Sequence, residues 1–218
     1  MTLDYKLSAD NIKERLLAAH DPDMAVIRGQ FFKAEYNFFR SNIKNQKVLV
    51  AGSGLGHDSF ELAGYNLLVV GVESLESFIE YSRKRAEELR LKNVIFHHKD
   101  IMGIPYMSHD FDSAVLNMGT IGNVDDKAAV LDALLKSASK VYFDFYPPTS
   151  AGIEKRRRMY SEEQWKNVRV NGTSIVSDDG LDSASLSQDE IDTLVSSLGA
   201  KVKYYHFHDF SVMAEAER

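Results

Sequence analysis

Gly52-Ser53-Gly54-Leu55-Gly56, Glu73 and Asp100 are the residues of this chain whose types and spacing can do chemistry together. Glycine tolerates positive φ and lets a ligand approach the backbone, and a helix that starts directly after such a turn aims free N–H groups at a polar or anionic group. Glu73 follows Gly52 by 21 residues. A carboxylate there can accept hydrogen bonds from both hydroxyls of a ribose, as happens at the carboxyl ends of strands in open α/β sheets. Asp100, in Lys99-Asp100-Ile101-Met102, can accept an adenine amino group with Ile101 and Met102 against the ring. The set points to a cofactor that contains a nucleoside.

Such residues need strands that end at one edge and helices that begin there. Val48-Leu49-Val50-Ala51 is apolar at four successive positions, which suits a strand buried on both faces of a parallel sheet. Strands are expected at Lys47 to Ala51, Leu67 to Val72, Asn93 to Phe96, Ser113 to Asn117 and Val141 to Phe145. Helical periodicity fills the intervals. Leu75, Phe78, Ile79, Ser82, Ala86 and Leu89 share one face opposite Arg83, Lys84, Arg85, Glu87 and Glu88, and Val130, Leu131, Leu134 and Leu135 follow the acidic opening Asp125-Asp126. The alternation predicts an α/β, doubly wound, Rossmann-like parallel sheet.

The first 46 residues read as a helical cap. Ile12, Leu16 and Leu17 follow the capping candidates Ser8 and Asp10, and Asp21-Pro22 opens a second helix that carries Ile27, Phe31, Phe32, Phe38 and Phe39. Residues 47–146 form the cofactor-binding core. In 147–218, Trp165 to Val170 and Thr173 to Ser177 read as strands joined at Asn171-Gly172, a strong hairpin signal. Ser187-Gln188-Asp189-Glu190 matches a capping box before Ile191, Leu194, Val195 and Leu198, with Gly199 as the stop. Lys201 to Phe210 is the expected closing strand. No repeat or proline-rich linker appears, so 1–218 is read as one domain.

The chain has 218 residues, a formal net charge of -6 and no cysteine. Disulfides, thiolate metal sites and a cysteine nucleophile are therefore excluded, and the acidic balance speaks against a nucleic-acid partner. No 18-residue apolar stretch is present, and Met1 to Asp10 lacks the order of a secretory signal. A cytoplasmic location with no membrane association is the resulting expectation. His206 and His208 supply two imidazoles on one strand face, too few for zinc, so no metal site is expected.

Gly52-Ser53-Gly54-Leu55-Gly56, Val72-Glu73-Ser74 with the helix Phe78-Ile79-Glu80-Tyr81-Ser82-Arg83, Lys99-Asp100-Ile101 and Phe111-Asp112-Ser113-Ala114-Val115 resemble the successive motifs of class I S-adenosylmethionine-dependent methyltransferases of the small-molecule type. The resemblance implies a mostly parallel seven-stranded sheet whose last strand runs antiparallel. It assigns Gly52, Ser53, Gly54 and Gly56, with Ala51 beside them, to the methionine portion of S-adenosylmethionine. Glu73 and Ser74 go to the ribose, Asp100 and Ile101 to the adenine, and Asn117 and Met118 to the cleft near the sulfonium. Family members often carry an acid at the position of Val50; here Asp58, just past the turn, stands to take over that contact. Arg28 is a possible partner for the cofactor carboxylate.

Methyl transfer is an in-line displacement that needs alignment and exclusion of water rather than a fixed catalytic residue. No catalytic residue is assigned. Tyr36, Asp144, Tyr146 and His206 are the candidates for a base, each more readily explained as structural. Lys155-Arg156-Arg157-Arg158 lies among Glu154, Glu162 and Glu163 and reads as a solvated helix face. An NAD-dependent dehydrogenase would need glycine at His57, one residue beyond Gly56, and an aminopropyl transferase an acid at Asn117. A non-catalytic methyltransferase-like binding protein is the remaining alternative. The expected partner is a small-molecule methyl acceptor.

Overall fold

The computed structural model describes residues 9–21, 25–103 and 111–218. Ser8 and Pro22, expected to open helices, lie outside these residues. The cap consists of α1 (Ala9–Ala19) and α2 (Val26–Asn42). Asp10 falls within α1 rather than before it, and Leu17 is exposed.

The core then alternates: β1 (Lys47–Ala51), α3 (His57–Ala63), β2 (Leu68–Glu73), α4 (Glu76–Glu88), β3 (Val94–His98), β4 (Phe111–Leu116), α5 (Lys127–Ser137) and β5 (Ala138–Phe145). After α6 (Ser150–Glu162) come the short strands β6 (Arg169–Asn171), β7 (Ser174–Val176) and β8 (Asp182–Ser183). They are followed by α7 (Gln188–Ser197), β9 (Lys201–His208) and β10 (Ser211–Glu217).

The main sheet has seven strands in the order β3-β2-β1-β4-β5-β10-β9. β1 to β5 are parallel neighbours, and β10 runs antiparallel to both β5 and β9. Strand period decides the layers. Leu49, Ala51, Val70, Val72, Ala114, Leu116, Val141 and Phe143 face α5 and α7. Val48, Val50, Val69, Val115, Tyr142 and Met213 face Phe38, Phe39 and Leu62 of α2 and α3.

The ends of the helices follow their chemistry. Asp126 caps α5 by accepting from the Ala129 N–H at 2.9 Å, and the Ser187/Glu190 capping box opens α7. Three expectations differ from what is found. The closing segment is two strands, with Asp209 and Phe210 forming the turn between them. The excursion is a three-stranded sheet, because β8 pairs with β7. Trp165 lies in a loop ahead of β6. Its indole packs inward rather than extending a strand.

Candidate functional site

The parallel strands all end at one edge of the sheet, and the sheet order reverses between β1 and β4, where neighbouring loops part and leave a crevice. Two cavities of about 180 and 80 Å³ open there and share Gly52, Glu73, Ser74 and Thr120. Glu73, the last residue of β2, stands between them. Its Oε2 accepts from the Gly54 N–H at 3.1 Å, and its Oε1 from the N–H groups of Ser74 and Leu75 at 2.8 and 3.0 Å.

The turn that meets Glu73 depends on its glycines. Gly52, Gly54 and Gly56 have φ of 65°, 52° and 84°, a region that side chains disfavour. Gly52 and Gly54 line the larger cavity; Gly56 lines neither. A Cβ on Gly56 would lie 2.8 Å from Phe60 Cζ and 3.0 Å from Phe96 Cζ, so this glycine lets α3 pack against the sheet. Ala51, Ser53, Asp58, Asn117 and Met118 line the larger cavity, and Asp100 and Ile101 the smaller. Of the residues expected in the site, all but Gly56 thus converge on one cleft.

Val50 also lines the cleft, and Asp58 approaches it from the first turn of α3. Asn117 Nδ2 donates to Asp58 Oδ2 at 3.2 Å. Asp58 Oδ1 and Asn117 Oδ1 are buried without a partner among the described residues. Burial pushes the Asp58 carboxyl upward, opposed by the hydrogen bonds from Asn117 and Tyr36. Behind it, Glu35 is fully buried with neither carboxylate oxygen partnered among the described residues; burial raises it further, helped by Asp58 and Asp144.

Four base candidates fall outside the cleft lining. Asp144 is fully buried and holds the Gly119 N–H at 2.7 Å and the Ser211 hydroxyl at 3.0 Å; burial pushes it up to about 6. Tyr146 packs beneath Gly119, where a Cβ would come within 2.2 Å of its ring. Tyr36 is absorbed between core clusters, and His206 is exposed on β9.

The cap side of the cleft is built by residues that sequence reasoning missed or set aside. His20, at the end of α1, stacks on His57 at 3.5 Å and Phe32 at 4.2 Å between centroids. Burial pulls His20 down to about 2 and His57 to about 4, so both rings are neutral near pH 7. Arg28 is buried, and its Nε donates to Glu163 Oε1 at 2.7 Å. The expected solvated face of α6 is only partly so: Arg157 pairs with Glu154 at the surface, whereas Arg156 is buried, donating to Ser183 and Ser185 with its guanidinium 4.2 Å from the Tyr146 ring. Gly152, Arg156, Met159, Tyr160 and Glu163 are buried at offsets of four, seven, eight and eleven, a helical stripe hidden by its charges.

Comparison with known proteins matches residues 42–144 to a family described as a methyltransferase domain. Over those residues the chain is similar to that family. Two curated relatives are similar to part of the chain. The 23S rRNA (uracil(1939)-C(5))-methyltransferase RlmD of Enterobacter sp. (strain 638) is 30% identical over 113 residues, 49% of this chain and 25% of RlmD. The S-adenosyl-L-methionine-dependent Diels-Alderase iccD of Talaromyces variabilis is 26% identical over 129 residues, 57% of this chain and 41% of iccD. The chain thus spans a quarter to two fifths of their lengths.

Among solved structures, the DhpI-SAM-HEP complex superposes with a TM-score of 0.64 at 17% identity, covering 100% of both chains. The chain therefore shares the fold of that structure, a Rossmann-like, mostly parallel sheet. The cleft fits S-adenosylmethionine. Glu73 stands between two lobes, and Asp58 and Asn117, each with a buried oxygen unpartnered among the described residues, line the larger one. No helix among the described residues is long and apolar enough to cross a membrane.

Proposed function

We propose that this protein transfers a methyl group from S-adenosylmethionine to a small-molecule acceptor. The observation that carries this reading is the two-lobed cleft divided by Glu73 at the carboxyl ends of β1, β2 and β4. The bound cofactor supplies an electrophilic methyl group on a sulfonium. Gly52 and Gly54 would let the backbone come close to it, Glu73 would accept from the ribose hydroxyls with Ser74 beside it, and Asp100 and Ile101 would hold the adenine. Asp58 Oδ1 and Asn117 Oδ1 are the acceptors available for the methionine ammonium. Asn117 and Met118, which has φ of 59°, border the reacting end from the turn after β4.

The protein's contribution is alignment and dehydration. Leu16 of α1 packs with Leu55 and Phe78 over the glycine turn, and Arg15 reaches Asp179 in the excursion at 3.4 Å, so α1 spans the cleft from one wall to the other. None of Tyr36, Asp144, Tyr146 and His206 lines the cleft, so none of these four is placed to act as a base there. The net charge of -6 favours a small acceptor over a polyanion.

The name of iccD favours a second reading, in which the cofactor is bound and the chemistry is not methyl transfer. Calorimetric titration with S-adenosylhomocysteine, then incubation of the protein with methyl-labelled S-adenosylmethionine and a metabolite extract, tests both. Binding followed by a labelled product supports transfer. Binding with no label transferred supports the second reading, and failure of both S-adenosylmethionine and S-adenosylhomocysteine to bind sinks the two together.

A further inference from the structure

We infer that the cap side of the cleft is an acceptor subsite for an aromatic carboxylate, with the carboxylate on Arg28 and the ring between Trp165, Tyr160 and Leu181. The inference rests on the transferase reading and names the chemical class of its acceptor. Arg28 is the only permanent cation among the described residues that line the larger cavity. It is 2% exposed, with its Nε on Glu163 at 2.7 Å and its Nη1 3.5 Å from the Tyr146 hydroxyl. Nη2 has no hydrogen-bond partner among the described residues. A guanidinium is a planar fork, and an edge left over after one carboxylate can take a second.

Glu163 is fully committed. Its Oε1 accepts from Arg28 and its Oε2 from Trp165 Nε1 at 3.2 Å, so one buried carboxylate sets the direction of both the cation and the indole. The rings around Arg28 argue against a cationic acceptor. Phe31, Phe32 and Tyr160 lie 5.6 to 5.8 Å from its guanidinium, so the protein's own side chain already occupies the place of a cation among aromatics. The other acids near Arg28 are Glu35, Asp58 and Asp144, whose burial raises them and weakens their claim on its charge. Tyr160, Trp165, Leu181 and Met118 supply flat and apolar walls from three separate segments.

Trp165 is the single tryptophan, so its fluorescence reports on this subsite directly. Wild-type protein is titrated at constant ionic strength with benzoate, benzamide and benzylamine, each with and without saturating S-adenosylhomocysteine. The expected result is saturable quenching by benzoate at a Kd at least tenfold below that of the other two probes, retained with S-adenosylhomocysteine present. Arg28→Lys, which keeps the charge beside Glu163, is expected to weaken benzoate about tenfold.

Equal binding of benzamide, or no saturable response to benzoate, overturns the inference. Competitive loss of benzoate on adding S-adenosylhomocysteine also overturns it, because Arg28 would then hold the cofactor's own carboxylate. The titrations without S-adenosylhomocysteine keep the subsite testable if cofactor binding itself fails.

Discussion

Glu73 accepts on both carboxylate oxygens from backbone N–H groups of its own loop and of the glycine turn, so its position is held from two sides. Such a carboxylate meets ribose hydroxyls without first having to be ordered. Glu73→Gln is expected to weaken S-adenosylhomocysteine about ten- to a hundredfold in calorimetry, matching about 1.5–3 kcal/mol for hydrogen bonds to a charged group. The far-ultraviolet circular dichroism should be unchanged. His20 offers a pH test. Its ring is pulled down from 6.5 to about 2 by burial first and by His57 second. Its contribution is therefore whole above pH 6.5 and is lost as pH falls, because the unfolded chain binds a proton that the folded chain refuses. His20→Phe keeps a stacked ring and removes the titration. The variant should lose about 1–2 kcal/mol less than wild type between pH 7 and pH 5, read from urea midpoints. That Glu73 and Asp100 would border the cleft was legible in the sequence because parallel strands end at one edge of the sheet and the loops after them share that edge. His20 was not, since its role depends on stacking with a residue 37 positions away.

At the level of elements, the capping box of α7 gives a test that separates stability from binding. Ser187→Ala is expected to cost about 1 kcal/mol and to lower the melting temperature by about 2–4 °C. S-adenosylhomocysteine affinity should stay as in wild type, because α7 does not line the cleft. Gly119→Ala should do the opposite kind of damage. At φ of 65°, with Tyr146 Cε2 only 2.2 Å from the added Cβ, the turn after β4 must rebuild, and soluble yield should fall sharply with any remaining protein binding S-adenosylhomocysteine at least tenfold more weakly. β1 was legible to the residue because four apolar positions in a row before a glycine have one common reading. β10 was missed because Glu215 and Glu217 break its apolar pattern. Glu215 is buried against Lys140 at 2.7 Å and the Tyr205 hydroxyl at 2.7 Å, partners that exist only once β9, β10 and β5 lie side by side.

For the whole molecule, a ligand that binds only the folded state stabilises it by mass action. S-Adenosylhomocysteine at about 100 times its Kd should add about 2.7 kcal/mol and raise the melting temperature by roughly 5–10 °C for a domain of this size, in scanning fluorimetry; NAD at the same concentration should leave it unmoved. The division between what was legible and what was not follows the range of the interactions. The sequence by itself determined the alternating α/β order, the glycine turn and the carboxylates at the end of β2 and just past β3, because each is set within one strand–turn–helix unit. Only the tertiary structure decided the cap side of the cleft. His20, Arg28, Tyr160, Glu163, Trp165 and Leu181 come from both ends of the chain, and three of them carry charge or titratable nitrogen that reads as surface. They are turned inward because Arg28 and Glu163 satisfy each other in the interior, and a buried pair can form only after the helices that carry its two halves have packed.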